Sequence, residues 1–153
     1  MKLRILATLA ALAFAGAAQA QMISATNPRA IVSALQNAGY KATLGKDDTG
    51  DPLITSAAGG SDFLVLFFGC TKNIDCRTIQ FFAGYTERKV TLATMNEWNK
   101  KKRFARAYLA DSGAARIEMD VDLDDGGVST KLFEDNLEFW VAVMAEFEKH
   151  IGG

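Results

Sequence analysis

The chain has 153 residues, with 17 basic and 18 acidic side chains, one histidine and a formal net charge of −1. A chain this close to neutral has no overall electrostatic attraction to nucleic acid or to anionic lipid. Its length suits one domain with a substantial hydrophobic core, and it shows no internal repeat and no low-complexity linker.

Residues 1–20 have the pattern of a cleavable signal peptide. Two basic residues precede an apolar run over residues 5–17, and an Ala-Gln-Ala tripeptide ending at Ala20 matches the cleavage pattern. The apolar run is too short to cross a bilayer of about 30 Å as a stable helix. We therefore expect cleavage between Ala20 and Gln21, a periplasmic or secreted location without membrane insertion, and one α+β domain over residues 21–153.

The first elements of the mature chain are a helix and two short strands. Thr26 or Asn27 can cap a helix that has proline at its first position and ends at Gly39. Residues 40–44 and 53–56 then have the composition of strands, and they flank a turn-rich segment.

The two cysteines lie at the tip of a predicted hairpin. Residues 63–68 are apolar on both faces, which predicts a central strand that is covered on both sides. Cys70 and Cys76 separate it from an alternating run over residues 78–84. An oxidising compartment favours a disulfide, whereas redox-active pairs are usually Cys-x-x-Cys at the start of a helix. Pairing the cysteines brings apolar residues together across the strands: Phe67 with Ile79, Val65 with Phe81 and Phe63 with Ala83.

Two further helices are predicted by their caps. Thr94 and Glu97 form a capping box that opens a helix over residues 95–102. Ser129 caps a last helix that runs to Lys149 with apolar residues at helical spacing.

Between these helices lies a second hairpin, with strands over residues 103–110 and 115–124. Pairing Leu109 with Ile117 keeps the apolar residues on one face, and it places Arg106 opposite Asp120 and Tyr108 opposite Glu118. The alternation predicts that the acidic side chains of the second strand are exposed. The order helix, four strands, helix, two strands, helix predicts an α+β fold: an antiparallel sheet flanked by helices.

No arrangement of catalytic or metal-binding residues stands out. His150 lies in the last four residues, where we expect a frayed terminus. The acidic run over residues 120–125 differs from a calcium loop, because Asp125 replaces the glycine and Lys131 the final glutamate. No nucleophile elbow, phosphate loop or dinucleotide fingerprint occurs. We expect no catalytic residue, no cofactor and no metal.

One basic cluster and one aromatic group remain. Lys100–Arg103 falls at a predicted helix end, where cations complement the helix dipole. Trp98 is on the second helix, and core packing is the ordinary role of such aromatics. Phe104, Arg106 and Tyr108 share one strand face, and aromatics with arginine are enriched at protein interfaces. These three residues are our candidate interaction face.

From Phe63 to Phe147 the chain carries an ordered set of short motifs. They are Gln80-Phe81 and Ala83-Gly84-Tyr85 after the cysteine hairpin, Asn96-Glu97-Trp98-Asn99, Arg103-Phe104, Ala107 to Leu109, Asp111-Ser112-Gly113, Gly126-Gly127-Val128-Ser129, and Trp140 with Phe147 on the last helix. This set resembles the YbjN-domain family of bacterial proteins. The resemblance implies a fold like that of the type III secretion chaperones, often dimeric, and a loose label of sensory transduction regulator without catalytic residues.

We therefore expect a non-enzymatic periplasmic protein that binds other proteins or peptides through its sheet or a dimer face, with a possible link to stress or sensory regulation. The alternative is a small-ligand sensor with a pocket between the last helix and the sheet.

Overall fold

The computed structural model describes residues 22–152, so the predicted signal peptide and its cleavage site between Ala20 and Gln21 lie outside the described residues. The elements in chain order are β1 (Met22–Ile23), α1 (Pro28–Asn37), β2 (Ala42–Lys46), β3 (Pro52–Ala58), β4 (Ser61–Phe68), β5 (Thr78–Tyr85), α2 (Leu92–Lys101), β6 (Arg106–Leu109), β7 (Ala115–Asp122), β8 (Val128–Ser129) and α3 (Thr130–His150).

Six strands form one antiparallel sheet in the order β2-β3-β4-β5-β7-β6, and β1 pairs with β8 in a small second sheet. This confirms the predicted α+β class. The predicted element order lacked β1 and β8, because strands of two residues are too short to show an alternating pattern.

Two of the three helices begin at the predicted N-capping residue. The Asn27 side chain accepts a hydrogen bond from the N–H of Ala30, and the Ser129 hydroxyl accepts one from the N–H of Leu132. The predicted start of α2 was wrong. The Thr91 hydroxyl caps this helix at 3.2 Å from the N–H of Thr94, so Thr94 lies inside the first turn.

The cysteine hairpin has the predicted register, with Val65 opposite Phe81 and Phe67 opposite Ile79. The predicted register of the second hairpin was wrong by two residues, since Ala107, not Leu109, lies opposite Ile117. A tighter turn causes the difference: the N–H of Ala110 donates to the carbonyl of Ala114 at 2.9 Å. A shift of two residues keeps every side chain on its predicted face.

The core lies between one face of the sheet and the helices, in one cluster of buried hydrophobic residues. Trp140 of α3 stacks on Phe81 of β5 with ring centroids 5.7 Å apart, and it meets Phe63 of β4 edge-on at 6.0 Å. At the other end of α3, Phe147 packs against Trp98 of α2 at 5.1 Å. Aromatic contacts therefore join α3 to both the sheet and α2.

The strand β4 is central, as predicted, but the expected cover on both sides was wrong. Phe63, Val65 and Phe67 are buried in the core, whereas Leu64 and Leu66 are only partly buried and Phe68 is exposed. The apolar residues on the second face of β4 therefore form a surface that no other element of the described residues covers. No helix within residues 22–152 is long and apolar enough to cross a membrane.

Candidate functional site

The sheet face that points away from the helices, here called the open face, carries an apolar strip. Its members are aliphatic or aromatic side chains on three neighbouring strands, and none of them belongs to the core cluster. The apolar strip consists of Leu53 on β3, Leu64, Leu66 and Phe68 on β4, and Phe82 on β5. Phe68 is the most accessible of these, with 45% of its surface exposed.

Beside the apolar strip, β6 and β7 place a buried carboxylate between two donors. The Glu118 side chain is only 8% exposed, and its Oε2 lies 2.7 Å from Nη2 and 2.9 Å from Nε of Arg106. The Tyr108 hydroxyl donates to the other carboxylate oxygen. Both oxygens of Glu118 therefore have fixed partners.

The same guanidinium extends the arrangement to Asp120 and Gln80. Arg106 Nη1 lies 3.1 Å from Asp120 Oδ2, and Gln80 Nε2 donates to Asp120 Oδ1 at 2.7 Å. Gln80, Arg106, Tyr108, Glu118 and Asp120 are here called the polar network. It crosses three neighbouring strands, so its geometry is set by the sheet rather than by a loop.

The network shifts the pKa of two of its members. The hydrogen bond to Glu118 raises the pKa of the Arg106 guanidinium above its usual value. Burial raises the pKa of the Tyr108 phenol, and the hydrogen bond to Glu118 adds to the rise. The guanidinium thus stays charged and the phenol stays protonated as donors to Glu118.

The prediction that the acids of β7 are exposed is correct for Asp120 and Asp122 but wrong for Glu118. Glu118 lies between Phe82 on β5 and Arg106 on β6, and these neighbours cover it. Alternation alone gives the face of a residue, whereas its burial depends on the side chains beside it in adjacent strands.

Arg116 adds a positive charge next to the network. Its guanidinium lies 5.6 Å from the centroid of the Phe82 ring and 6.0 Å from that of the Tyr108 ring. Among the ion pairs of residues 22–152 it has no partner. It is a partly buried cation that lies against two rings and interacts with the Tyr108 side chain, and a guanidinium carries further N–H donors that suit an anion.

The apolar strip and the polar network meet in a shallow groove of about 530 Å³. Phe68 and Thr78 line one part of it, and the five network residues line the rest. The groove offers apolar contact and fixed hydrogen-bonding groups within one surface.

The structure divides the candidate interaction face of Phe104, Arg106 and Tyr108. Arg106 and Tyr108 share the open face, as their alternation predicts. Phe104 precedes β6 and has a left-handed backbone with φ of 71°. Its ring lies 4.8 Å from that of Phe139 on α3, although Phe104 also borders a groove next to Arg106.

The structure also shows the arrangement of the two cysteines and of the residues that could bind a metal. Cys70 and Cys76 form a disulfide at the tip of the β4–β5 hairpin. Asn73 joins this tip to the β2–β3 turn, with its amide 2.8 Å from Asp51 Oδ1 and 3.1 Å from the carbonyl of Thr49. Within residues 22–152 no group of three or more His, Cys, Asp or Glu side chains could hold a metal ion.

The expected fraying at His150 was wrong. It is the last residue of α3, its Nε2 lies 2.9 Å from the carbonyl oxygen of Thr94, and its ring is 5.5 Å from that of Trp98. The basic cluster does lie at a helix end, as predicted. Lys101 pairs with Glu97 there.

The alternative function, that of a small-ligand sensor, requires a pocket between α3 and the sheet. Rings occupy this contact: Phe133 lies 6.3 Å from Phe81, and Trp140 stacks on the same Phe81 ring. Phe133 and Trp140 are both fully buried. This geometry gives the ligand-sensor alternative no support over a binding surface on the open face.

The fold and the site define an α+β domain with helices on one face of an antiparallel sheet and an open, partly apolar opposite face. The family model YbjN, described as "Putative bacterial sensory transduction regulator", matches residues 27–153. The chain therefore belongs to the YbjN family, which confirms the resemblance found in its motifs. No curated protein and no solved structure gives a significant match, so the likeness to type III secretion chaperones stays a prediction.

Proposed function

We propose that this YbjN-family member is an exported, non-enzymatic binding protein that holds an amphipathic segment of another protein on its open face. The observation that carries the proposal is the apolar strip, which no element of residues 22–152 covers. A sheet with an apolar face gains stability when a second layer of structure packs on it. A partner segment would supply that layer.

The side chains of the open face specify the chemistry of this partner. Phe68 and Phe82 favour large apolar side chains, because burial of aromatic surface contributes strongly to binding. Arg116 favours an acidic group, since its guanidinium is held on two rings and has no ion pair among the described residues. The partner segment is therefore apolar on one side and carries at least one carboxylate.

A binding role also agrees with the state of the polar groups on the sheet. Both oxygens of Glu118 are occupied by Arg106 and Tyr108, so this buried acid acts as a fixed anchor. Rigid polar groups beside an apolar surface determine the orientation of a bound segment. As a sensory or stress-related regulator, the protein would respond to whether a partner segment occupies the open face.

The test uses the oxidised mature chain, residues 21–153, and short synthetic peptides that cover the exported proteins of the host. Peptides that bind are measured by fluorescence anisotropy against Phe68→Ser and Arg116→Glu. Both variants should weaken binding by about tenfold or more. Ile74→Ser is the matched control, because Ile74 is 61% exposed on the hairpin tip and is not part of the apolar strip.

Equal affinities for the wild type, Phe68→Ser and Arg116→Glu would overturn the proposal, as would the absence of any binding peptide. Loss of binding in Ile74→Ser alone would move the site to the hairpin tip. The export part of the proposal is tested separately by cell fractionation and N-terminal sequencing. We expect Gln21 as the first residue of the periplasmic protein, and a cytoplasmic protein that retains residues 1–20 would contradict it.

A further inference from the structure

Two grooves meet over the polar network. The groove of about 530 Å³ includes Phe68, and a second groove of about 430 Å³ includes Phe104. Arg106, Glu118 and Asp120 line both of them. The two therefore form one continuous groove, here called the joined groove, which runs from β4 across β5, β7 and β6 to the edge of the sheet.

An exposed phenylalanine lies at each end of the joined groove. Phe68 is 45% exposed and Phe104 is 55% exposed. The Phe104 ring is nevertheless held in place, because the Phe139 ring lies 4.8 Å from it and the Arg103 guanidinium lies 4.9 Å from its centroid. A side chain that is fixed in advance loses little freedom on binding, so Phe104 suits contact with an apolar side chain of a partner.

The backbone at Phe104 is strained. Its φ of 71° is in the left-handed region, which side chains as bulky as phenylalanine rarely adopt. Burial of the ring does not offset the strain, since more than half of the residue remains exposed. Strained residues cluster at active sites and ligand-binding positions. A contact with a partner would account for the strained and exposed position of this ring.

The middle of the joined groove is acidic. Glu118 and Asp120 carry two negative charges there and Arg106 carries one positive charge, so one negative charge is in excess. Asp122 adds another, because it lies opposite Thr78 in the groove lining and has no ion-pair partner within residues 22–152. A basic side chain of a partner therefore fits this part of the groove better than an acidic one.

We propose that the joined groove binds an extended segment of a partner protein that crosses the strands, with one large apolar side chain at Phe68, a second at Phe104 and a basic residue between them. The inference rests on the proposed function, because Phe68 belongs to the apolar strip. The groove spans three strand spacings and continues past β6, which gives it a length of about 15 to 20 Å. An extended chain covers this length with about five or six residues.

The shape of the sheet edge favours an extended segment over a helix. Phe104 lines the groove and also contacts Phe139 on α3, so the groove turns from the open face around the edge. A helix bends sharply only at a specific break, whereas an extended chain can follow this turn. The segment crosses β6 rather than pairing with it as an added strand, because the Asn99 side chain occupies the N–H and carbonyl groups of Ala107 in this strand.

The test uses the oxidised mature chain and a fluorescent synthetic peptide with two phenylalanines about five positions apart, a lysine between them and an aspartate at one end. We expect binding in fluorescence anisotropy, and Phe68→Ser and Phe104→Ser should each raise the dissociation constant about tenfold. Leu132→Ser is the matched control, because Leu132 is 49% exposed on α3 and lines neither part of the joined groove. Circular dichroism of each variant checks that the fold is retained.

Changes in the peptide test the arrangement along the groove. A peptide that lacks one phenylalanine should no longer respond to either Phe68→Ser or Phe104→Ser, according to the end that this phenylalanine occupies. Glutamate in place of the peptide lysine should weaken binding, because it meets the acidic middle of the groove.

Three results would overturn the inference: no binding of the peptide, equal affinities of the lysine and glutamate peptides, or an affinity that Phe68→Ser lowers and Phe104→Ser does not. The last result would leave the proposed function intact, since that function requires only the apolar strip and Arg116. Loss of the effect of Phe68→Ser on peptides from exported proteins would count against the proposed function itself.

Discussion

The side-chain amide of Asn99 forms two hydrogen bonds with the backbone of Ala107. Asn99 Nδ2 donates to the Ala107 carbonyl at 2.9 Å, and Asn99 Oδ1 accepts from the Ala107 N–H at 2.8 Å. Ala107 lies on β6, the last strand of the sheet. Unpaired backbone groups on an edge strand can pair with another chain, so α2 protects this edge with one side chain.

Replacing this side chain tests the edge contact. Asn99→Leu should lower the free energy of unfolding by about 1 to 2 kcal/mol, because two backbone groups lose their partners. It should also increase aggregation at high concentration. Asn96→Leu on the same helix is the control, since Asn96 is exposed. Urea unfolding and light scattering give both readouts, and equal effects of the two variants would contradict the prediction.

The Arg106–Glu118 pair should contribute more than the surface ion pairs. Arg106→Leu leaves a buried carboxylate with Tyr108 as its remaining donor, and we expect a loss of about 2 kcal/mol. Removing both partners in Arg106→Leu/Glu118→Leu should restore part of this loss, because no buried charge remains. Lys131→Ala breaks an exposed pair and should destabilise the protein much less than Arg106→Leu. Chemical denaturation measures each value, and a double variant less stable than Arg106→Leu would refute this account.

Alkaline pH should destabilise the protein through Tyr85. Its hydroxyl donates to Glu148 at 3.0 Å, and burial, followed by this hydrogen bond, raises its pKa above the usual 10.0. The folded state thus favours the protonated phenol. This stabilisation is complete below the unfolded pKa near 10 and is lost as the pH rises above it.

Stability measured between about pH 9 and about pH 11 should therefore fall less steeply in Tyr85→Phe than in the wild type. Absorbance of tyrosinate gives an independent readout, since ionisation of Tyr85 should accompany unfolding. An unchanged slope in Tyr85→Phe would show that another group causes the alkaline loss.

Sequence patterns could predict the strand faces because side chains alternate with a period of two. Val65, Phe81 and Ile117 are therefore on the expected face, and the disulfide fixes the register of one hairpin. The register of β6 could not be predicted in the same way. Pairings two residues apart give identical faces, and only the geometry of the turn distinguishes them.

The candidate site shows the same limit. Arg106 and Tyr108 could be placed on one face from their spacing, but the burial of Glu118 depends on neighbours from two other strands. The position of Phe104 depends on a left-handed backbone that no pattern indicates. The apolar positions of β4 predicted a covered strand, because composition does not show whether another element is available to cover it.

The disulfide should stabilise the β4–β5 hairpin by about 2 kcal/mol, the value expected from loop entropy for a ring this small. Urea unfolding with and without reductant measures this contribution in the wild type. Cys70→Ser/Cys76→Ser should match the reduced protein and should not respond to reductant. A wild-type protein whose stability is the same in both conditions would contradict the prediction.

Gly127 and Gly126 form a matched pair that separates backbone strain from steric collision. Both have a left-handed φ, of 82° and 99°, so alanine at either position introduces similar strain of about 1 to 2 kcal/mol. A Cβ at Gly126 meets nothing within 4 Å, whereas one at Gly127 would collide with the carbonyl oxygen of Ile23 and lie 2.8 Å from its carbon. Ile23 belongs to β1, which pairs with β8 directly after Gly127.

Gly127→Ala should therefore destabilise the protein more than Gly126→Ala, by about 2 kcal/mol or more, because β1 must move away. Hydrogen exchange at Ile23 should accelerate in Gly127→Ala and remain slow in Gly126→Ala. Since Ile23 is fully buried, its release also opens the core next to α3. Equal losses in the two variants would mean that β1 contributes little to stability and that backbone strain alone explains both effects.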